Sequence, residues 1–274
     1  MSSAAAVTTT PARLVSLVPS LSHTLWSWGL APRLVAVTDY CVAPVDGFPG
    51  AERIRGTKNP DVRAIIALEP DLVVADQEEN REIDVRRLRE AGVAVHVTRV
   101  RTVADAADEL ERLAEALGVP TVGAQLVDEL RTALAQVEPA RPALRAFCPV
   151  WRDGADSARA RRDPGQERWW AVGRDTFVGD LLRATGFAVW PGDPDGRYPT
   201  VALDDVLAAD CEVVLLPDEP YEFSETDHEP FAGQLIRHLD GAALTWWGPR
   251  TPAAIAELAA LARELRTELD GTGQ

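Results

Sequence analysis

The sequence predicts an α/β protein of two lobes, each built on a central and mostly parallel sheet, joined by a single long helix. Short apolar runs alternate with amphipathic helical stretches through the first hundred residues, and the alternation resumes after residue 139. That pattern is typical of βαβ units. Between the two halves, residues 120–138 show a continuous helical pattern. At 1.5 Å per residue this helix would reach about 27 Å, enough to bridge two lobes.

The first lobe is expected over residues 13–119, after a disordered N-terminus of residues 1–12. Its apolar runs predict strands at residues 14–18, 34–37, 72–75 and 93–97. Its helical patterns predict helices at about 21–29, 61–68 and 80–91, and a further helical stretch from residue 103 to the break at 118–120. Pro70 stops the second of these helices and Gly92 ends the third.

The linking helix begins at Pro120, a residue that suits the first turn of a helix. Periodicity alone fits nearly as well with a helix packed on the surface of one domain. The second lobe is expected over residues 139–274, with strands at 143–150, 187–190 and 213–216 and helices at about 175–185, 203–208 and 251–268.

The composition excludes several classes of function. The 274 residues include 28 Lys and Arg against 43 Asp and Glu, a formal net charge of −15. The phosphates of nucleic acid would repel such a chain, so no nucleic-acid partner is expected. No apolar run reaches the ~18 residues of a membrane span, so no membrane insertion is expected. Three widely spaced cysteines indicate neither a disulfide framework nor a zinc module.

The start of the chain bears on location. It is rich in Ser, Ala and Thr with no basic start, and residues 14–18 are too few for the apolar core of a secretory signal. A cytoplasmic protein is therefore expected, or an extracytoplasmic one if a signal has been removed.

The loops after the predicted strands of the first lobe are rich in polar residues. In an open parallel sheet the ligand lies beyond the carboxyl ends of the strands. Ligand contacts are therefore expected from Pro19, Ser20, His23, Asp39, Tyr40, Lys58, Glu79 and Asn80. Two simpler roles stay open. A serine after Pro19 would then cap the next helix without contacting a ligand. Glu79 would stabilise a helix N-terminus without contacting a ligand.

Aromatic residues dominate the corresponding loops of the second lobe, where five of the eight tryptophans lie. Ligand contacts are expected from Trp151, Arg152, Trp169, Trp170, Tyr198, Glu219, Tyr221 and Trp246. Adjacent residues on a strand point to opposite faces, so Trp169 and Trp170 cannot both be buried on one side. Large rings suit a flat, partly apolar ligand held by stacking. Core packing remains the alternative for each tryptophan.

No residue pattern indicates a specific catalytic chemistry, since no GxSxG, HExxH, P-loop or GxGxxG motif occurs between a strand and a helix. His23, Asp39, Cys41 and Glu79 have metal-ligand chemistry, but their spacing fits no compact metal motif. No catalytic residue and no metal site are therefore predicted. His96, within an apolar run, and His238, expected on a helix, are interpreted as structural.

Several segments resemble the cobalamin and iron-siderophore binding proteins of ABC importers. In the first half they are RLVSLVPSLS (13–22), VTDYC (37–41), GTKNPD (56–61), LEPDLV (68–73) and EEN (78–80); in the second they are AVGRDTF (171–177) and LPDEPY (216–221). The resemblance covers roughly residues 13 to 250. This sequence resembles a form of the family that lacks a signal peptide.

This resemblance implies two Rossmann-like lobes in the manner of class III periplasmic binding proteins, joined by one backbone helix. It also implies a corrinoid, a metal chelate such as a siderophore complex, or a similarly large flat metabolite, bound in a cleft between the lobes. Cobalamin is thus a candidate ligand, although the residues do not identify it. The leading hypothesis is a binding protein. The alternatives are a binding fold recruited as an enzyme or accessory protein, with His23 and Asp39 as acid and base, and an importer component whose signal was removed.

The sequence departs from the family pattern at places that matter for partners. Importer proteins present an acidic residue on each lobe to permease arginines; here Arg63 stands at the first position, and Asp204 keeps the acid at the second. A cation there argues against permease docking. Residues 153–168 also look like an insertion.

Overall fold

The computed structural model describes residues 10–42, 47–153, 167–192 and 196–272. The chain divides into two compact units, Met1–Val100 with Ala104–Leu130, and Arg101–Val103 with Arg131–Gln274. The chain leaves the first unit for the last time after Leu130, within the helix Pro120–Gln136, and stays in the second unit from Arg131 onward. Most of the expected disordered segment (residues 1–9) and of the expected insertion (154–166) lie outside the described residues.

The first unit contains a five-stranded parallel sheet in the order β3-β2-β1-β4-β5. Its strands are β1 (Leu14–Ser16), β2 (Leu34–Val37), β3 (Glu52–Arg53), β4 (Leu72–Asp76) and β5 (Val95–Thr98). All five residues of β4 are buried, as expected for a central strand covered on both faces. Valine, leucine and isoleucine side chains from β1, β4 and the neighbouring helices form its core.

The helices of this unit follow the strands. They are α1 (Pro19–Ser27), α2 (Val62–Ala67), α3 (Glu82–Glu90) and α4 (Val103–Ala116), followed by α5 (Pro120–Gln136). A 3₁₀ turn at Ala31–Arg33 precedes β2. Helix α5 passes close to α4 at Gly123, where an added Cβ would lie 2.2 Å from the Ala114 Cβ. Glycine therefore permits the close packing of these two helices.

The second unit contains two sheets. The larger is parallel, in the order β12-β11-β6-β9, and comprises β6 (Leu144–Phe147), β9 (Phe187–Trp190), β11 (Val213–Pro217) and β12 (Leu235–Leu239). The smaller is antiparallel, in the order β10-β8-β7, and comprises β7 (Pro149–Arg152), β8 (Arg168–Ala171) and β10 (Thr200–Ala202). The core of the second unit is filled by aromatic side chains such as Phe147, Trp169, Phe223 and Phe231.

The helices of the second unit are α6 (Phe177–Thr185), α7 (Leu203–Leu207), α8 (Gly241–Thr245) and α9 (Thr251–Thr272), with a 3₁₀ helix at Glu225–Phe231. Helix α6 is capped at both ends. Thr176 accepts a hydrogen bond from the Gly179 amide, and Gly186 ends the helix in the left-handed conformation. Among the described residues, no helix is both long and apolar enough to cross a membrane.

The sequence predicts most of these elements well. The strands predicted at 34–37 and 187–190 coincide with β2 and β9. The single strand predicted at 143–150 is wrong, because Cys148 separates β6 from β7 and the two strands join different sheets. The helix expected to carry His238 is also wrong, since this histidine lies on β12.

A largely buried hydrogen bond joins β5 to α4 in the first unit. The Glu109 carboxylate accepts from His96 Nε2 at 2.7 Å and from Arg112 Nη2 at 2.7 Å. Burial acts to raise the pKa of Glu109, but the hydrogen bonds and charges of His96 and Arg112 outweigh it and hold the pKa below its usual range. The ionised carboxylate therefore stabilises the folded state.

Glu109→Gln should lower the free energy of unfolding at pH 7 by about 1–3 kcal/mol, because a buried charge-assisted pair loses one partner. The lowered pKa means that this contribution is present above the pKa of the unfolded carboxyl, about 4.3, and disappears as pH falls through the folded value. Urea unfolding at pH 7 and at acid pH measures it. The difference from the parent should shrink in acid, whereas Glu115→Gln on the exposed face of α4 should change little. Equal effects of the two variants would contradict the assignment.

Candidate functional site

In the first unit, the candidate residues lie on the loops after β1, β2, β3 and β4, which buried polar groups tie together. Asn80 is the main tie. Its Oδ1 accepts from the Asp76 amide at 2.8 Å, and its Nδ2 donates to the carbonyl oxygens of Thr57, at 2.9 Å, and Leu17, at 3.3 Å. The side chain is thus engaged with backbone on three segments. Asn80 positions the loops, and its direct ligand contact stays a prediction.

Asp76 fixes the start of the loop that carries Glu79. Its Oδ2 accepts from Thr98 Oγ1 at 2.7 Å, and its Oδ1 accepts from the Glu78 amide at 2.8 Å. Lys58 donates to the Glu78 carbonyl oxygen, and its ammonium lies 3.9 Å from the Glu79 carboxylate. Lys58 and Glu79 therefore form a half-exposed opposite-charge pair on a fixed loop.

A second buried cluster lies beneath the loop after β2. Ser22 Oγ lies 2.8 Å from Ser16 Oγ and 2.9 Å from Cys41 Sγ, and Thr38 Oγ1 lies 3.0 Å from the same sulfur. Arg53 donates to the carbonyl oxygens of Thr38 and Cys41. Burial raises the pKa of the Cys41 thiol, so this sulfur is a neutral packing group at physiological pH.

The loop held by this cluster presents Tyr40 to solvent, with 65% of the residue exposed. The ring edge approaches Gly56, where a Cβ would lie 3.0 Å from Tyr40 Cε2. Asp39 beside it is also exposed, and its amide donates to the Arg55 carbonyl oxygen at 2.8 Å. The first unit thus displays an exposed aromatic ring and an exposed carboxylate at the end of β2.

The three candidates on α1 are placed differently. Pro19 is the first helical residue and Val18 is the N-cap without a side-chain hydrogen bond, so the capping role considered for a serine is wrong. Proline has no backbone N–H, so at the first helical position it leaves no amide of its own for a cap to satisfy. Ser20 is buried, and the His23 ring stacks on Trp26 with centroids 6.0 Å apart.

In the second unit, the antiparallel sheet sorts the candidate residues onto two faces. Trp151 of β7 pairs with Trp170 of β8, and Arg152 pairs with Trp169. Directly paired residues share a face and neighbouring residues do not. Trp151 and Trp170 therefore lie on one face, and Arg152 and Trp169 on the other.

Trp169 lies in the core with 0% of its surface exposed, which corrects its prediction as a ligand contact. Its ring stacks on Phe223 at 5.8 Å between centroids, and the Arg152 guanidinium carbon lies 5.1 Å from its ring centroid. Arg152 Nη1 donates to Asp227 Oδ1 at 2.7 Å, and its Nε pairs with Glu167. Neighbouring residues on a strand face opposite sides, so Trp169 points into the core and Trp170 points away from it.

The opposite face offers exposed aromatic surface. Trp151 is 48% exposed, and its ring meets the ring of Tyr221 edge-on with centroids 5.3 Å apart. Tyr221 in turn contacts Phe223 at 4.6 Å between centroids. Tyr198 is also exposed and Trp170 is partly buried. Trp151 and Tyr221, here named the aromatic shelf, rest on the buried core through Phe223.

Glu219 and Trp246 lie beyond the carboxyl ends of β11 and β12. The Gly241 amide donates to Asp218 Oδ1 at 2.7 Å, and a Cβ on Gly241 would lie 2.5 Å from Glu219 Cγ, so the two loops pack tightly. Burial, and then the nearby charges of Asp218 and Asp240, raise the pKa of Glu219, while Arg250 opposes them. The Arg250 guanidinium also lies 5.9 Å from the Trp246 ring centroid.

Sequence reasoning missed Asp227 and Phe223, which hold the aromatic shelf in place. The Ser224–Asp227 spacing is a capping-box signature, and the structure contains this capping box at the start of the 3₁₀ helix. That signal could have identified Asp227.

Burial raises the pKa of Cys148 to about 12 and that of Cys211 to about 11, so neither thiol is a nucleophile at neutral pH. The described residues contain no group of three or more His, Cys, Asp or Glu side chains suited to a metal.

Comparison with known proteins gives consistent matches. The sequence matches the family model described as periplasmic binding protein over residues 14–239. A vitamin B12-binding protein of Vibrio cholerae is 29% identical over 136 residues, 47% of this chain and 49% of the relative. A cobalamin-binding protein of Halobacterium salinarum is 26% identical over 209 residues, 75% of this chain and 53% of the relative. These alignments therefore span about half the length of the curated relatives.

Solved structures show the same fold. The periplasmic vitamin B12 binding protein BtuF of Vibrio cholerae has a TM-score of 0.72 at 20% identity, covering 94% of this chain and 98% of its own. The periplasmic heme-binding protein RhuT from Roseiflexus sp. RS-1 has a TM-score of 0.75 at 20% identity, covering 92% and 98%. At this level of identity, the likeness establishes the fold.

Trp169→Ala and Trp170→Ala should separate the two faces of β8. The first variant should lose about 3–5 kcal/mol of unfolding free energy through the cavity that it leaves. The second should lose about 1–2 kcal/mol, since part of its indole already lies in water. Urea unfolding of both variants measures the difference. Equal losses would show that the strand faces are assigned wrongly.

Proposed function

The chain belongs to the periplasmic binding protein family, and on that premise we propose that it binds a large, flat, partly apolar metabolite such as a corrinoid or a metal tetrapyrrole. The observation that carries the proposal is the aromatic shelf, where Trp151 lies 48% exposed against Tyr221 on an anchored sheet. Exposed indole held rigidly suits stacking on a planar ring system, because little side-chain entropy is lost on binding.

The rigidity of the shelf supports this function. Arg152 lies next to Trp151 in the chain and is fixed on the opposite face by Asp227 and Glu167. Trp170 is paired with Trp151 across the sheet. The outward direction of Trp151 is therefore set before a ligand arrives.

The first unit adds polar contacts to the proposal. Lys58 and Glu79 are exposed on loops that Asn80 and Asp76 fix, and Tyr40 is exposed on the loop that Arg53 holds. These side chains are hydrogen-bonding groups of the kind that give a bound metabolite a defined orientation.

The names of the relatives agree with this ligand class. They name vitamin B12, cobalamin and heme, all large metal-containing macrocycles. The cytoplasmic location expected from the sequence stays a prediction. Several of the structural relatives are named as periplasmic, so an extracytoplasmic location is the competing proposal.

Trp151→Ala should weaken binding of hydroxocobalamin or heme by about 1–3 kcal/mol, roughly 5- to 150-fold, because the stacking surface is removed. Quenching of tryptophan fluorescence, titrated with each ligand separately, measures the affinity. The melting temperature should change little, since Trp151 is half exposed.

The matched control is Leu207→Ala, which removes another exposed apolar side chain of the second unit. Its affinity should equal that of the parent. If the parent protein binds neither macrocycle, or if Trp151→Ala binds as tightly as the parent, the proposal fails.

Permease docking is a separate part of the proposal. Arg63 is exposed on α2, and Asp204 is exposed in the first turn of α7. If the docking positions are those that the family resemblance implies, a cation at the first would repel permease arginines.

The native protein should therefore fail to stimulate a cobalamin-type permease reconstituted in vesicles, and Arg63→Glu should increase any residual stimulation. ATP hydrolysis by the vesicles, with cobalamin present, measures it. Arg86→Glu, an exposed change of the same charge on α3, serves as the control. Strong stimulation by the native protein would contradict the docking argument.

A further inference from the structure

Two of the four histidines of the chain meet on the surface of the second unit. His228 Nε2 and His238 Nε2 lie 2.7 Å apart, and the ring centroids lie 5.0 Å apart. At this distance one neutral ring donates a proton to the other. Two nitrogens that can each bind a metal therefore already occupy neighbouring positions.

The backbones that carry the two rings are independently anchored. His238 lies on β12, where it pairs with Leu216 in a strand ladder five residues long. His228 lies in the 3₁₀ helix Glu225–Phe231, which begins with a capping box and ends at the fully buried Phe231. Its neighbour Asp227 is held by Arg152. A chelate formed by the rings would need side-chain rotation only.

The geometry is close to that of a bidentate imidazole site. With metal–nitrogen bonds of about 2.0–2.1 Å, two imidazole nitrogens in adjacent positions on one ion lie roughly 3 Å apart. The observed 2.7 Å separation needs to widen by only a few tenths of an ångström. The protein's formal charge of −15, and the exposed Glu225 and Glu229 in the same 3₁₀ helix, favour a cation here.

We propose that His228 and His238 form a two-ligand surface site for a divalent transition-metal ion, with water in the remaining positions. Imidazole nitrogen suits Cu²⁺, Ni²⁺ and Zn²⁺, and among these Cu²⁺ binds most tightly to a given nitrogen site. When the ion binds, the proton shared by the two Nε2 atoms leaves to solvent and the ring that carried it takes up a proton at Nδ1, so both rings bind the metal as neutral imidazoles. This site is distinct from the proposed ligand contacts, so it does not depend on the proposed function.

Histidine ring spectra of ¹⁵N-labelled protein test the site directly, because only four rings contribute. Adding Zn²⁺ at pH 7.5 should shift the nitrogen signals of His228 and His238, while those of His23 and His96 stay in place. Calorimetric titration with Zn²⁺ and Ni²⁺ should give one ion per chain.

His228→Gln and His238→Gln should each weaken that binding at least tenfold, and His23→Gln should not. Thermal melting without metal checks that the glutamine variants remain folded; if either is not, the ring spectra of the parent protein alone decide. Unchanged metal binding in both variants, or shifts at His23 or His96 instead, would overturn the proposal. An outcome in which the two rings share a proton but bind no ion would also overturn it.

Discussion

The guanidinium of Arg152 is the group on which the arrangement of the second unit depends. It is half-buried between Asp227 and Glu167 and lies over the Trp169 ring. Removing such a charge from water is costly unless opposite charges and hydrogen bonds compensate it, and here two carboxylates do so. Since neighbouring residues on a strand face opposite ways, the inward anchoring of Arg152 also directs Trp151 outward. One buried interaction thus determines both the core and the exposed aromatic surface.

The first unit reaches the same result with a neutral group. The Asn80 amide uses its oxygen and both of its donor directions on backbone atoms of three segments. An amide meets these needs without the desolvation cost of a charge. The exposed Lys58 and Glu79 then project from loops that are already ordered. In both units, buried polar anchors support exposed contact groups, so binding would order few additional side chains.

The sequence predicts the parts of the fold whose residues carry a local pattern. Strands β2 and β9 are short apolar runs bounded by turn residues, and both are predicted at their observed bounds. The antiparallel sheet is missed because β8 and β10 combine charged, aromatic and small residues without alternation, and their pairing depends on partners distant in the chain. The site shows the same division. The exposure of Tyr40 fits the loop argument. Trp151 lies on β7 instead of in a loop, and its exposure, like the burial of Trp169, follows from a strand register that no local pattern reveals.

Several titratable groups near the ends of the strands have structural roles. Near the ends of the parallel strands, Asp76 is engaged by Thr98 and backbone amides, and Asp218 by the Gly241 amide. The thiols of Cys148 and Cys211 are kept neutral by burial. These groups hold the loops and the core in place. The surfaces that they leave exposed are the Tyr40 ring and the Lys58 and Glu79 side chains in the first unit, and the aromatic shelf in the second.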